Sequence, residues 1–242
     1  MKRLGAVLLI SGLIFIFSGC VSSGKATLLA EREPVALVSV TSNYDINWKD
    51  EDSMDPKTPG LLVGSALKKD PDLTYITNSN ELINSAERIF RSVLADFDVL
   101  NLAEKERVLY SRAYREARIN SYQTREKKVS PTNYRLVDYR DKNFASALAS
   151  ETGIRRGMYV EFDFTKVMRS GFGKNGKLQA CVEMMVIILD EKGKTLYRKD
   201  FSAWSSGTAD VNQATYYEAD LLRLFDAAIE EISLDFVSQF GK

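Results

Sequence analysis

The sequence contains no histidine and only two cysteines among its 242 residues. Without histidine the chain lacks the usual general base near neutral pH, every Ser-His or Cys-His nucleophile pair, and the commonest metal ligand. Two cysteines are too few for a structural zinc site of four cysteines. We therefore expect no metal and no other cofactor, and we expect a binding protein and not an enzyme.

The formal net charge of the sequence is zero, because 33 basic side chains balance 33 acidic ones. The first 19 residues hold two of the basic side chains, so the rest of the chain has 31 basic and 33 acidic residues. This balance argues against a nucleic-acid partner, which would favour a strongly basic domain. The hydrophobic share of 45% is sufficient for a folded core.

The N-terminal segment has the layout of a secretory signal. Lys2 and Arg3 precede an uncharged apolar run at residues 4–17, which reads LGAVLLISGLIFIF. This run is shorter than the roughly 20 apolar residues of a comfortable membrane span. The pattern therefore predicts a signal peptide over residues 1–19. One alternative is an ordinary cleaved signal that has a cysteine nearby by chance, and the other is an uncleaved anchor.

The end of this signal, Phe17-Ser18-Gly19-Cys20, resembles the lipobox of bacterial lipoproteins. In that family the signal is cut before the cysteine and diacylglycerol is attached to its sulfur. The resemblance implies cleavage after Gly19 and lipidation of Cys20, with Phe17 standing where an aliphatic residue is usual. Several acyl chains would hold the protein stably on a membrane of the bacterial cell envelope. The outer membrane is expected, since Val21-Ser22 lacks the aspartate that retains many lipoproteins in the inner membrane.

The rest of the chain is predicted to be one domain, residues 34–242, on a short polar tether, residues 20–33. Residues 35–40 (VALVSV) form a compact β-branched run typical of a buried strand. Residues 41–78 are a long, proline-containing stretch whose acidic residues do not match the spacing of an EF-hand. We interpret this stretch as a solvated loop, and we expect Cys181, within the apolar run Ala180-Cys181-Val182, to be buried and inert.

The helices are predicted from caps and apolar spacing. Asn78 and Glu81 have the spacing of a capping box before a long amphipathic helix, and residues 97–100 (FDVL) follow it as a short strand candidate. A second helix is expected over residues 101–121. A third, over residues 142–152, should end at Gly153. Another long amphipathic helix, containing Leu221 to Phe236, closes the chain.

The strands of the second half are predicted from period-two alternation. Val160, Phe162 and Phe164 alternate with polar residues, and an apolar strand over residues 178–189 follows. A glycine-containing turn at residues 190–194 leads to a returning strand at residues 195–204, which completes an antiparallel meander. We predict an α+β fold with a mixed sheet of about four or five strands covered by amphipathic helices.

The order of elements resembles the periplasmic domain shared by CsgG-type lipoproteins, the lipoprotein activator LpoB and the N-terminal domain of TolB. The resemblance covers about residues 34–240 and is carried by residues 97–101, 144–160 and 186–196, which match a short strand before a charged helix, a helix–glycine–strand segment, and a strand–turn–strand. It implies an envelope accessory domain or a subunit of a secretion complex. The chain shows no long amphipathic hairpins of the kind that CsgG contributes to its barrel, so pore formation is not implied.

Two short motifs suggest chemistry. Residues 171–177 (GFGKNGK) match phosphate-loop patterns, but Leu178 occupies the hydroxyl position and a strand is expected next, so we interpret them as a hairpin loop. Glu161 and Asp163 lie on one face of a predicted strand. They could act as a carboxylate pair in hydrolysis of cell-wall or lipid material, although alternation predicts that they are simply exposed.

A basic stretch is the remaining candidate site. Residues 105–142 contain eleven Lys or Arg residues, five Asp or Glu residues and five interleaved tyrosines. One interpretation is a solvated surface whose arginines pair with the acidic C-terminal segment, residues 209–242. The other is a surface that binds an envelope protein partner or a second copy of the chain, with the candidate residues Arg112, Arg115, Arg118, Lys127 and Lys128. The sequence thus favours a lipid-anchored, non-enzymatic binding module, with a CsgG-type complex subunit or a hydrolase as alternatives.

Overall fold

The computed structural model describes residues 32–48, 79–172, 175–213 and 215–240. The predicted signal peptide, its Gly19 cleavage site, Cys20 and most of the tether lie outside the described residues. So do residues 49–78, including the predicted cap at Asn78.

The described residues form one mixed sheet of six strands with helices, so the predicted α+β class is confirmed. Four main strands follow the order β1-β3-β4-β5, while β2 pairs with β3 and β6 with β4. β1 and β2 run parallel to β3, and the other pairings are antiparallel. The strands are β1 Val35–Ser42, β2 Asn47–Trp48, β3 Arg156–Phe172, β4 Asn175–Asp190, β5 Thr195–Trp204 and β6 Ala209–Val211.

The predicted antiparallel meander is confirmed as β3, β4 and β5. The turn between β4 and β5 is held by the Asp190 carboxylate, which accepts hydrogen bonds from the backbone N–H groups of Lys192 and Lys194 at 2.9 and 2.8 Å. Gly193 has φ +74°, a conformation that favours glycine. Residues 171–172 of the GFGKNGK motif belong to β3 and residues 175–177 to β4, with Gly171 paired to Gly176, so the motif leads into a strand as predicted. Residues 173 and 174 lie outside the described residues.

Two long helices, α1 (Ser79–Phe97) and α6 (Glu218–Ser238), cover one face of the sheet. The ring of Phe90 in α1 lies 6.3 Å from that of Phe162 in β3, and Phe225 in α6 lies 5.4 Å from Phe164. All four rings are buried. Because burying one such side chain contributes about 2–3 kcal/mol, this aromatic layer is a major part of the core.

The segment after α1 differs from its prediction. Phe97 is the last residue of α1 and Asp98 turns the chain with φ +46°, so no strand forms at residues 97–100. The chain pairs with β1 only after this turn, where Leu102 and Val35 form an isolated bridge.

The single helix predicted over residues 101–121 is also wrong. Two short helices lie in this region, α2 (Lys105–Leu109) and α3 (Arg112–Glu116), and a third, α4 (Ser121–Arg125), begins at its end. The Ser111 hydroxyl accepts a hydrogen bond from the Tyr114 N–H, and the Asn120 side chain caps α4. These caps favour new helix starts over one continuous helix.

The helix predicted over residues 142–152 is confirmed as α5 (Lys142–Thr152). Asp141 caps its N-terminus, and Gly153 ends it in the left-handed conformation with φ +74°. α5 and the preceding loop pack at one end of the second sheet face, where the rings of Tyr139 and Tyr159 lie 6.1 Å apart. This packing covers only part of that face.

Candidate functional site

The second face of the sheet carries a groove of about 470 Å³ beyond the part that α5 covers. It is called here the open-face groove. Its side chains form two rows across β3, β4 and β5, because residues that pair across strands point to the same face. One row is Glu161, Met185 and Asp200; the other is Asp163, Glu183 and Ser202.

The rows concentrate negative charge. Four of the six side chains in these two rows are carboxylates, and Glu183 and Asp200 are exposed. Paired residues on neighbouring antiparallel strands have Cβ atoms about 5 Å apart, so Asp163 and Glu183 lie directly side by side. The floor between the carboxylates is the half-buried Met185 side chain. The groove thus combines a polarizable apolar floor with an acidic rim.

Two cations lie at the margins of the groove. The Lys128 ammonium lies 2.9 Å from a Glu161 carboxylate oxygen, with these side chains 15% and 29% exposed. The Gln123 side-chain amide also donates to Glu161, at 3.4 Å. On the other side, the Arg198 guanidinium lies 3.6 Å from the sulfur of Met185. Lys128 and Arg198 thus border the two rows of acidic side chains from opposite sides.

Of the five candidate partner-binding residues, only Lys128 reaches this groove. The other four are exposed elsewhere on the basic stretch, residues 105–142: Arg112, Arg115, Arg118 and Lys127. Arg112 pairs with Glu116 at 2.8 Å within α3, which raises the pKa of its guanidinium.

Among the described residues, the basic stretch forms two local ion pairs and two that reach α1 and β3. Arg140 pairs with Asp138 at 2.9 Å, and Lys105 reaches Glu87 of α1 at 3.1 Å. Two backbone N–H groups of α3 donate to the Glu151 carboxylate of α5, which lowers its pKa. The expected pairing with the acidic C-terminal segment is not among the ion pairs of the described residues. The basic stretch is instead held by its own carboxylates and by those of α1, α5 and β3.

The sequence reasoning missed Lys166, a fully buried lysine on the helix-covered face of β3. Its ammonium nitrogen lies 5.1 Å from the ring centroid of Trp48 and 5.8 Å from that of Tyr216. Burial lowers its pKa to about 8. The alternation of β3 contains the signal, because Lys166 is in phase with the buried Phe162 and Phe164.

The described residues contain no group of three or more Asp, Glu or Cys side chains that could hold a metal ion. Cys181 is buried, as predicted. Of the helices in the described ranges, none has both the length and the apolar character needed to cross a bilayer.

No protein-family model matches the chain, and no curated protein matches it. Among solved structures, it is similar to the hypothetical protein CT253 from Chlamydia trachomatis, at 11% sequence identity. The alignment covers 86% of this chain and 92% of that protein, with a TM-score of 0.37. A TM-score this low does not establish a common fold, so the alignment carries no functional argument.

Proposed function

We propose that this protein is a lipid-anchored lipoprotein of the bacterial cell envelope whose domain is a non-enzymatic binding module for an envelope protein complex. The observation that carries the binding role is the asymmetry of the sheet. One face is closed by α1 and α6, whereas the other keeps an accessible groove with an acidic rim. Accessible concave surfaces with mixed apolar and charged lining are suited to partner recognition.

The anchor in this proposal is Cys20, supported by the signal and lipobox resemblance at residues 1–20. A thioether-linked diacylglycerol would place the domain beside the membrane, because the tether that follows is short. An outer-membrane location agrees with Val21-Ser22 after the cysteine.

The partner segment that fits the open-face groove is cationic. Glu183 and Asp200 are exposed, so an ammonium or guanidinium group can approach both carboxylates without a large desolvation cost. The half-buried Met185 between the rows offers an adaptable apolar contact for the stem of a lysine or arginine.

Two alternatives use other parts of the molecule or other chemistry. A hydrolase would use Glu161 and Asp163, the carboxylate pair expected from the sequence, which are half-buried and not simply exposed. Because the Glu161 carboxylate is engaged by the Lys128 ammonium at 2.9 Å and by the Gln123 amide at 3.4 Å, we favour binding over catalysis. The exposed Arg115 and Arg118 offer a second surface for a partner, as expected from the sequence, and a CsgG-type complex would use several surfaces at once.

Photo-crosslinking in intact cells tests the proposal. We would place a benzoylphenylalanine at Ser202, in the groove, and a matched control at Glu230, which is exposed on α6 on the opposite side of the sheet. The proposal expects the Ser202 position to crosslink to an envelope protein other than the chain itself, and Glu230 not to do so. Equal crosslinking from both positions, or none from Ser202, would contradict a partner site in the groove.

A further inference from the structure

β5 is the last strand in the order of the main sheet. Its inner edge pairs with β4 from Thr195 to Trp204, and among the described residues no strand pairs with its outer edge. The backbone N–H and C=O groups on such an edge are a template for another strand. At ten residues, β5 is longer than the short edges that discourage such pairing.

The sequence of β5 is complementary to itself when two copies run antiparallel. If the pairing is centred on Lys199, Arg198 of each copy stands opposite Asp200 of the other, and Tyr197 opposite Phe201. Residues that pair directly must share a face, and this register meets that condition. Tyr197 and Phe201 contact Phe236 of α6 on the helix-covered face, whereas Arg198 and Asp200 pair with Ile187 and Met185 on the other.

We propose that two copies of this protein associate through β5, which pairs antiparallel with β5 of the second copy around a two-fold axis at Lys199. The interface is isologous, so each favourable contact occurs twice. It contains two Arg198–Asp200 ion pairs on the open face and two aromatic pairs between Tyr197 and Phe201. Cross-strand pairs of both kinds stabilise antiparallel sheets.

The cost of this register is the approach of the two Lys199 side chains. Each Lys199 ammonium donates a hydrogen bond to the Gln239 side-chain oxygen at 2.6 Å and lies 5.2 Å from the ring centroid of Phe201. The ammonium therefore points toward the end of α6, within its own subunit, and not across the edge. This arrangement reduces the repulsion between the two charges.

A charge-swap experiment tests the pairing. The molar mass of the full-length protein in detergent is measured by light scattering, with the detergent contribution subtracted. The parent should have the mass of two chains, and Arg198→Asp or Asp200→Arg alone should have the mass of one. An equimolar mixture of the two variants should recover the two-chain mass, since two carboxylates of one strand then face two guanidinium groups of the other.

This recovery would not occur if either residue had only a structural role within one subunit. A parent of one-chain mass at every concentration tested would overturn the proposal. So would single variants that keep the parental mass, or a mixture that remains at one-chain mass. Asp200 also borders the open-face groove, but the molar mass of the purified protein does not depend on partner capture, which is measured separately with variants at Glu183.

A disulfide at the two-fold axis tests the register. Opposite residues in an antiparallel pair have Cα atoms about 4.5–5.5 Å apart, which is within disulfide range. Under mild oxidation Lys199→Cys should therefore form a covalent dimer, whereas the parent should not. Ser202→Cys is the matched control, because six residues along the strands separate it from its copy by about 20 Å. No dimer from Lys199→Cys, or an equal yield from Ser202→Cys, would overturn the register.

Discussion

Lys166 is expected to increase the free energy of unfolding of the domain as the pH rises above 8. It is fully buried, and burial lowers its pKa from 10.5 to about 8. Each pKa unit corresponds to about 1.4 kcal/mol, so the charged amine costs the folded state about 3 kcal/mol below pH 8. The unfolded chain binds this proton more tightly than the folded one. The cost therefore falls as the pH rises from 8 to 10.5.

Lys166→Met removes the charge and keeps an unbranched side chain. The variant also loses the contacts with the Trp48 and Tyr216 rings, which are worth about 1 kcal/mol together in this partly apolar setting. Between pH 7 and pH 10 the free energy of unfolding of the parent should rise relative to that of the variant by about 2–3 kcal/mol, because Lys166 loses its proton in the parent.

The assay is urea unfolding of the parent and the variant at pH 7, 8, 9 and 10, compared as free energies of unfolding. Measurements stop at pH 10 because buried tyrosines, such as Tyr114 and Tyr197 with pKa values raised to about 12, destabilise both proteins above it. Lys177→Met at an exposed lysine is the matched control, and its difference from the parent should stay constant with pH. A constant difference for Lys166→Met as well would refute the assigned titration.

Three further predictions concern the anchor, a helix end and the core. Cys20→Ser should move the protein from the membrane fraction to the soluble fraction, and unchanged retention would exclude a lipid anchor at Cys20. Gly153→Ala should lower the free energy of unfolding by about 1 kcal/mol, because φ is +74° there and an added Cβ would meet only Arg107, at 3.8 Å. Phe162→Ala should lower it by about 3–5 kcal/mol in the same urea assay, since the ring is fully buried between Phe90 and Phe164; a loss under 1 kcal/mol would contradict the aromatic layer.

The elements that depend on local pattern could be predicted from the sequence. The alternation of Val160, Phe162 and Phe164 locates β3, and Gly153 marks the end of α5. The short helices were missed because four apolar residues fall on one stripe of a helix over residues 101–121: Leu102, Leu109, Ala113 and Ala117. The caps at Ser111 and Asn120 interrupt it, and they were visible in the sequence as residues that favour helix starts.

The open-face groove could be predicted only in part. Alternation places Glu161 and Asp163 on one face of β3, as the structure confirms. The register between strands decides which side chains of β4 and β5 lie beside them. It places Glu183 beside Asp163, and Asp200 in one row with Met185 and Glu161. Register is set by turn geometry and by the packing of the helix-covered face, which one strand does not reveal. The place of β5 at the edge of the sheet depends on the strand order, which the sequence of β5 does not reveal either.

The groove is tested most directly by the yield of the crosslink from Ser202 after charge reversal at a neighbouring carboxylate. Glu183→Lys replaces an exposed acid of the groove, whereas the double variant Arg115→Glu, Arg118→Glu reverses the exposed basic surface. If the partner binds the groove through a cationic segment, Glu183→Lys should reduce the crosslink at least tenfold and the arginine variant should leave it unchanged. An undiminished crosslink in Glu183→Lys, together with its loss in the arginine variant, would contradict the groove as the binding site.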